Sequence, residues 1–220
     1  TKKEITKMHK RDFQYKSTQF WQNHNTPKWI CTHFQALEYK MNKLEDFYLL
    51  CNYPLVDPKL ESIGITKDHL FRYLYEDFYI ILLSISDIIS NILNDIYKLN
   101  IKKELQHLPY VLNELSQKHI IEKNPTLHTT LKEYNSFLIH NKEERNNNTH
   151  YGKSRNNVLR KIENPNDTEK LLDYVLKKRY DIDLKSILKP TIIEKMNSQI
   201  IKTDKFITEI FNNVQTSNCY

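Results

Sequence analysis

Arg145, Asn146 and His150 stand in the order R-N-x-x-x-H within KEERNNNTHYGK, Lys142 to Lys153, where a cation, an amide and a titratable imidazole meet with little apolar material between them. Such a set suits cleavage of RNA by internal phosphoryl transfer. A base removes the proton of a ribose 2′-hydroxyl, negative charge builds on a five-coordinate phosphorus, and an acid protonates the departing 5′-oxygen. An imidazole with the ordinary pKa of about 6.5 serves as base or acid, and a guanidinium fork matches the non-bridging oxygens. The nucleophile comes from the substrate, so neither a metal nor a cofactor is expected. One imidazole serves poorly as base and acid in the same turnover. A two-fold homodimer, the commonest homo-oligomer, is therefore expected to bring two copies of Arg145 and His150 into one cleft. Asn146 is expected to orient a phosphate or the other subunit's imidazole, with Tyr151, Lys153, Arg155 and Arg160 holding the neighbouring RNA.

These groups need a scaffold that turns back on itself. On an ideal helix five residues advance about 500°, which leaves Arg145 and His150 about 140° apart. Three consecutive Asn and a Thr compete with the backbone for hydrogen bonds, and Gly152 is a natural residue just past a helix end. The sequence predicts a helix that loosens or ends here, with His150 turned towards Arg145 or towards a second subunit.

Upstream, Leu70, Leu74, Phe78, Ile81, Ile85, Ile88, Ile92, Ile96 and Leu99 form one apolar stripe of a long helix, and Tyr75, Tyr79, Leu82, Ile89 and Leu93 form a second. A helix apolar on most of its circumference has to be surrounded, so it is expected at the centre of a bundle. Thr66 with Asp68 suits its start. Asp87, in the middle of that helix, is either a polar residue facing a groove or a carboxylate that orients Arg145 or His150. Apolar spacings predict further helices from Pro27 to about Asn52, over Lys102 to Lys118 with a kink at Pro109, from Pro125 into the Arg145 corner, over Thr168 to Tyr180, and after Pro190. The first 27 residues are polar and basic and read as a loosely packed lead-in. The expected fold is all-α: one domain of 220 residues, an up-and-down bundle around a long central apolar helix.

Composition narrows the alternatives. Two Gly and seven Pro are too few for a sandwich of tight turns or a glycine-rich phosphate loop. A net charge of +6 fits a polyanionic partner such as RNA. Cys31, Cys51 and Cys219 are odd in number and widely spaced, which points to reduced thiols and a cytoplasmic setting. The greasiest segment, Phe78 to Leu99, is interrupted by Ser84, Ser86, Asp87, Ser90, Asn91, Asn94 and Asp95, so no membrane span is expected. There is no HExxH, no CxxC and no DxDxDG loop, and no metal site is expected.

An all-helical chain with a long apolar helix upstream, a second helix leading into Arg145, Asn146 and His150, and further helices behind resembles the HEPN superfamily. That family's motif is Arg, then usually Asn, Asp or His, three free positions, and His. The resemblance covers Lys67 to Val214. It implies a dimeric, metal-independent endoribonuclease of the bacterial toxin or antiviral type, with Arg145, Asn146 and His150 catalytic and an antitoxin or regulatory protein as a further partner. The branch paired with a nucleotidyltransferase antitoxin carries Tyr two positions after the His, where this chain has Gly152, its Tyr being Tyr151. The competing reading is a non-catalytic dimerisation or RNA-binding module with Arg145 and His150 as plain helix-end residues. A third is a scaffold that recognises another protein through the aromatics between Phe13 and Trp29.

Overall fold

Apolar residues recurring at helical spacing dictate the architecture. The computed structural model describes residues 10–22, 28–52, 62–149 and 166–214, with the backbone alone at 144–149. In chain order its helices are α1 (Gln19–Gln22), α2 (Lys28–Asn52), α3 (Lys67–Ile96), α4 (Leu108–Gln117), α5 (Ile120–Lys123), α6 (Pro125–Thr149), α7 (Asp167–Tyr180) and α8 (Leu184–Asn213). Single 3-10 turns at Tyr15–Ser17 and Lys103–Leu105 are the only other regular elements among the described residues.

Helix α3 is the central one. Phe78, Tyr79, Leu82, Ile85, Ile89, Ile92 and Leu93 are all fully buried, and both apolar stripes find a neighbour to cover them. By length and composition α3 would also cross a bilayer, but 56% of its apolar window is buried inside the bundle, as a core helix requires. The Thr66 hydroxyl accepts from the His69 N–H at 3.3 Å while the Thr66 N–H reaches the His69 imidazole, so the box is closed by His69 rather than Asp68. Asp68 instead accepts from Lys189 of α8 at 2.6 Å. Thr66→Ala is expected to cost about 1 kcal/mol of unfolding free energy in denaturant titration, the usual worth of a Thr cap.

Cross-chain contacts set the directions. His33 of α2 meets Asp95 of α3 at 3.7 Å, and Phe34 packs on Phe211 of α8 at 4.7 Å between ring centres. Along α6 and α8, Asn124 donates to the Asn213 carbonyl, Tyr134 lies 5.3 Å from Phe206, and Asn141 donates to Gln199 at 3.4 Å. Helices α3 and α8 thus run one way and α2 and α6 the other, an up-and-down bundle.

Three segments differ from the sequence reading. Pro109 does not kink a helix; it sits in the first turn of α4, where its missing N–H costs nothing, and residues 103–105 form the separate 3-10 turn. Helix α8 starts ahead of Pro190, because the buried Leu184 is held from its backbone N–H to the Asp173 carboxylate at 2.6 Å and pins the helix one turn and a half upstream. On α7, Leu171 and Leu172 point outwards, and the helix is held by its reciprocal Asn166–Glu169 cap with Glu169 buried.

The N-terminal segment is the larger correction. Within residues 10–22 there is no loose lead-in: Phe13, Tyr15, Thr18 and Phe20 are buried. Phe20 stacks on Phe34 at 5.9 Å and tilts against Phe211. The Tyr15 hydroxyl donates to Asp204 at 3.1 Å, and burial together with that carboxylate pushes its pKa well up. An aromatic cluster without helical period fills the seam between α2 and α8.

Candidate functional site

Helix α6 carries Arg145 and Asn146 of the motif, and the Asn side chain of residue 124 with Pro125 at the first position starts it cleanly: Asn124 accepts from the Leu127 N–H at 3.1 Å. The helical backbone then runs without a break through Asn146, Asn147 and Asn148 to Thr149, so the Asn run does not loosen it. Leu127, Leu131, Tyr134 and Leu138 bury one face, and that packing outweighs the poor intrinsic propensity beyond. Arg145 and Asn146 therefore occupy adjacent positions on the last turns of α6. His150, Tyr151, Lys153, Arg155 and Arg160 lie outside the described residues.

A groove of about 590 Å³ opens between α3, α4 and α6 on the way to those turns. Ile80, Leu83, Leu108 and Ile139 give it apolar walls. Ser84, Ser86 and Asp87 of α3, His107 and Tyr110 at the start of α4, and Asn135 and Lys142 of α6 supply the polar and aromatic groups. The groove has two unlike ends. From Asn135 to Lys142 the α6 axis advances about 10 Å, and position 145 lies one further turn, about 5 Å, beyond Lys142. Cationic Lys142 therefore stands at the motif end, and Asp87, near enough to Tyr134 to act on its phenol, at the other.

Asp87 accepts from His107 Nδ1 at 3.3 Å. Both side chains are more than half exposed, so the pair is a feature of the groove surface and adds little to stability. An ionised carboxylate can only accept, which places an imidazole proton on Nδ1. The bond to His107 faces the groove; the other alternative, orientation of Arg145 or His150, turns on side chains outside the described ones. Asp87 also adds to the raised pKa of Tyr134, whose phenol is pushed up chiefly by complete burial.

His107, Tyr110 and Lys142 are site residues that the sequence reading passed over. Their one local signal was the His-Leu-Pro run, in which Pro marks a first helical turn and so puts His107 at the cap. Nothing local pairs it with Asp87, twenty residues earlier.

A second hollow, about 480 Å³ between α2 and α8, is lined by Cys51, Lys189 and Glu194 among others. Burial pushes the Cys51 thiol up to about 12 against the opposing pull of Lys189, so it stays protonated and serves as packing rather than as a nucleophile. Among the described residues no three His, Cys, Asp or Glu side chains gather closely enough to hold a metal ion.

Comparison with known proteins gives one match. Residues 34–215 fit the family model described as Cthe2314-like HEPN. No curated protein and no solved structure matches the chain. The fitted region begins within α2, ahead of Lys67, and takes in α2, α3, α6 and α8 together. A match over so much of the chain, on an all-helical bundle with Arg145 and Asn146 on α6, means that the protein belongs to the HEPN superfamily, in its Cthe2314-like family.

Proposed function

We propose that this protein is an endoribonuclease that cleaves RNA through attack of the 2′-hydroxyl, in a cleft shared by two copies of the chain. A base takes the 2′-hydroxyl proton, the 2′-oxygen bonds to phosphorus, the bond to the 5′-oxygen breaks, and an acid gives that oxygen its proton. The products are a 2′,3′-cyclic phosphate and a 5′-hydroxyl. His150 carries the protons, Arg145 clamps the non-bridging oxygens as charge builds on them, and Asn146 orients the phosphate or the second imidazole. Tyr151, Lys153, Arg155 and Arg160 hold the flanking strand. A toxin or antiviral role, under an antitoxin or regulatory partner, belongs to the same reading.

The observation that carries it is the position of the Arg-Asn pair. In a chain of a family that includes ribonucleases, it stands in the C-terminal turns of α6, one turn past a groove whose near end is Lys142. The test is digestion of single-stranded RNA by the purified protein in EDTA, with the termini identified. Cyclic phosphate or 3′-phosphate ends are expected. Intact RNA would instead favour the non-catalytic dimerisation or RNA-binding module.

A further inference from the structure

We propose that the groove between α3, α4 and α6 receives one base of the RNA, within a few nucleotides of the cleaved linkage, and selects a base that carries an exocyclic amine. This rests on the ribonuclease reading and adds a substrate preference to it.

The distance along α6 decides between two uses of the Asp87–His107 pair. A second acid or base would have to reach the same phosphate as Arg145, and the axial advance of about 15 Å from the Asn135 level to position 145 is too long for that within one chain. It suits recognition of a neighbouring nucleotide. Lys142, between the two levels, is placed for the intervening phosphate.

The groove's chemistry is that of a base pocket. Its volume of about 590 Å³ is that of a small-ligand site, with apolar walls and a few convergent polar groups. Tyr110, Ile80 and Ile139 are each about half exposed at the groove, which offers the flat apolar surface on which an unpaired base stacks. The Asp87 end is biased in one direction. The Ser84 hydroxyl already donates to the Ile81 carbonyl at 2.7 Å and the Ser86 hydroxyl to the Leu83 carbonyl at 2.7 Å, so each turns lone pairs outwards. The Asp87 carboxylate is acceptor-only, and it accepts from His107 Nδ1. Donors come from Asn135, the Tyr110 hydroxyl and, at the motif end, Lys142. Such an acceptor-rich wall matches the amino groups of adenine, cytosine and guanine. Uracil, with two carbonyls and a single N–H, meets it poorly.

The test is cleavage of a randomised single-stranded RNA, with every cut mapped by sequencing. For the wild type, uridine is expected to be depleted about tenfold at one position within a few nucleotides of the cut, the discrimination a good side-chain–base match gives. Asp87→Asn puts a donor amide where the carboxylate was, and is expected to reduce that depletion to under about threefold at that position alone. Tyr110→Ala is expected to raise KM about tenfold with kcat little changed, through lost stacking. A depletion that Asp87→Asn leaves intact, or no position that disfavours uridine, overturns the inference while Arg145- and His150-dependent cleavage would keep the ribonuclease reading. Absence of wild-type cleavage overturns both.

Discussion

His150→Ala is expected to lower RNA cleavage by about 10³-fold, within the range of general acid–base catalysis, and Arg145→Ala to do so by about 10² to 10³-fold through loss of charge stabilisation. Melting temperature measured alongside should hold in both, since α6 is pinned by Leu127, Leu131 and Tyr134 well upstream. The shared cleft makes a sharper demand. If one imidazole from each subunit is needed, a dimer of one wild-type and one His150→Ala chain is inactive. With subunits exchanged at a tenfold excess of the variant, activity per wild-type chain is expected to fall about elevenfold, because few wild-type chains then find each other. Activity per wild-type chain that stays constant in the mixture means that each protomer cuts alone, and the two-fold cleft is abandoned. Loss of cleavage in Arg145→Ala but not in His150→Ala would leave a phosphate-binding arginine and move the proton transfers to other groups.

How far the sequence led depended on whether the governing interaction was local. The apolar period of α3 and its Thr66 cap are written within a few residues, and both were legible. So were the bounds of α2 and the Pro125 start of α6, since Pro and helical spacing act locally. Pro190 misled because the start of α8 is set by Asp173 on another helix. The Asn run leaves the helical backbone unbroken as far as Thr149, because propensity is a small term beside the burial of the preceding four turns. Phe13, Tyr15 and Phe20 have no periodic pattern, and their destination, the seam beside Phe34 and Phe211, is visible only when α2 and α8 are side by side. The motif of the candidate site was legible as residue types. The groove that leads to it was not, because Asp87, His107 and Lys142 come from three helices and meet only through the fold.

Arg11→Met is expected to destabilise the protein by about 3 kcal/mol, as removal of one partner of a buried ion pair does. Glu45 is 2% exposed on α2, and Arg11 donates to it through Nε at 2.9 Å as well as through its guanidinium terminus. The same guanidinium lies 5.6 Å from the Tyr48 ring and 6.0 Å from the Phe13 ring, so its loss also removes packing. For a chain of this size the melting temperature should drop by about 6 to 12 °C. Replacing both partners, Arg11→Met with Glu45→Leu, is expected to return stability to within about 1 kcal/mol of wild type, because no buried charge is then stranded. If the double variant is as unstable as Arg11→Met alone, the cost lies in the aromatic packing around Arg11 rather than in the orphaned carboxylate. Either result bears on the aromatic N-terminus as a partner-recognition arm. The family match begins at residue 34, yet Phe13, Tyr15 and Phe20 complete the core on which α2 and α8 close. Side chains committed to that seam are not available to another protein, and a chain trimmed to the matched region would lose the clasp that Arg11 and Glu45 provide.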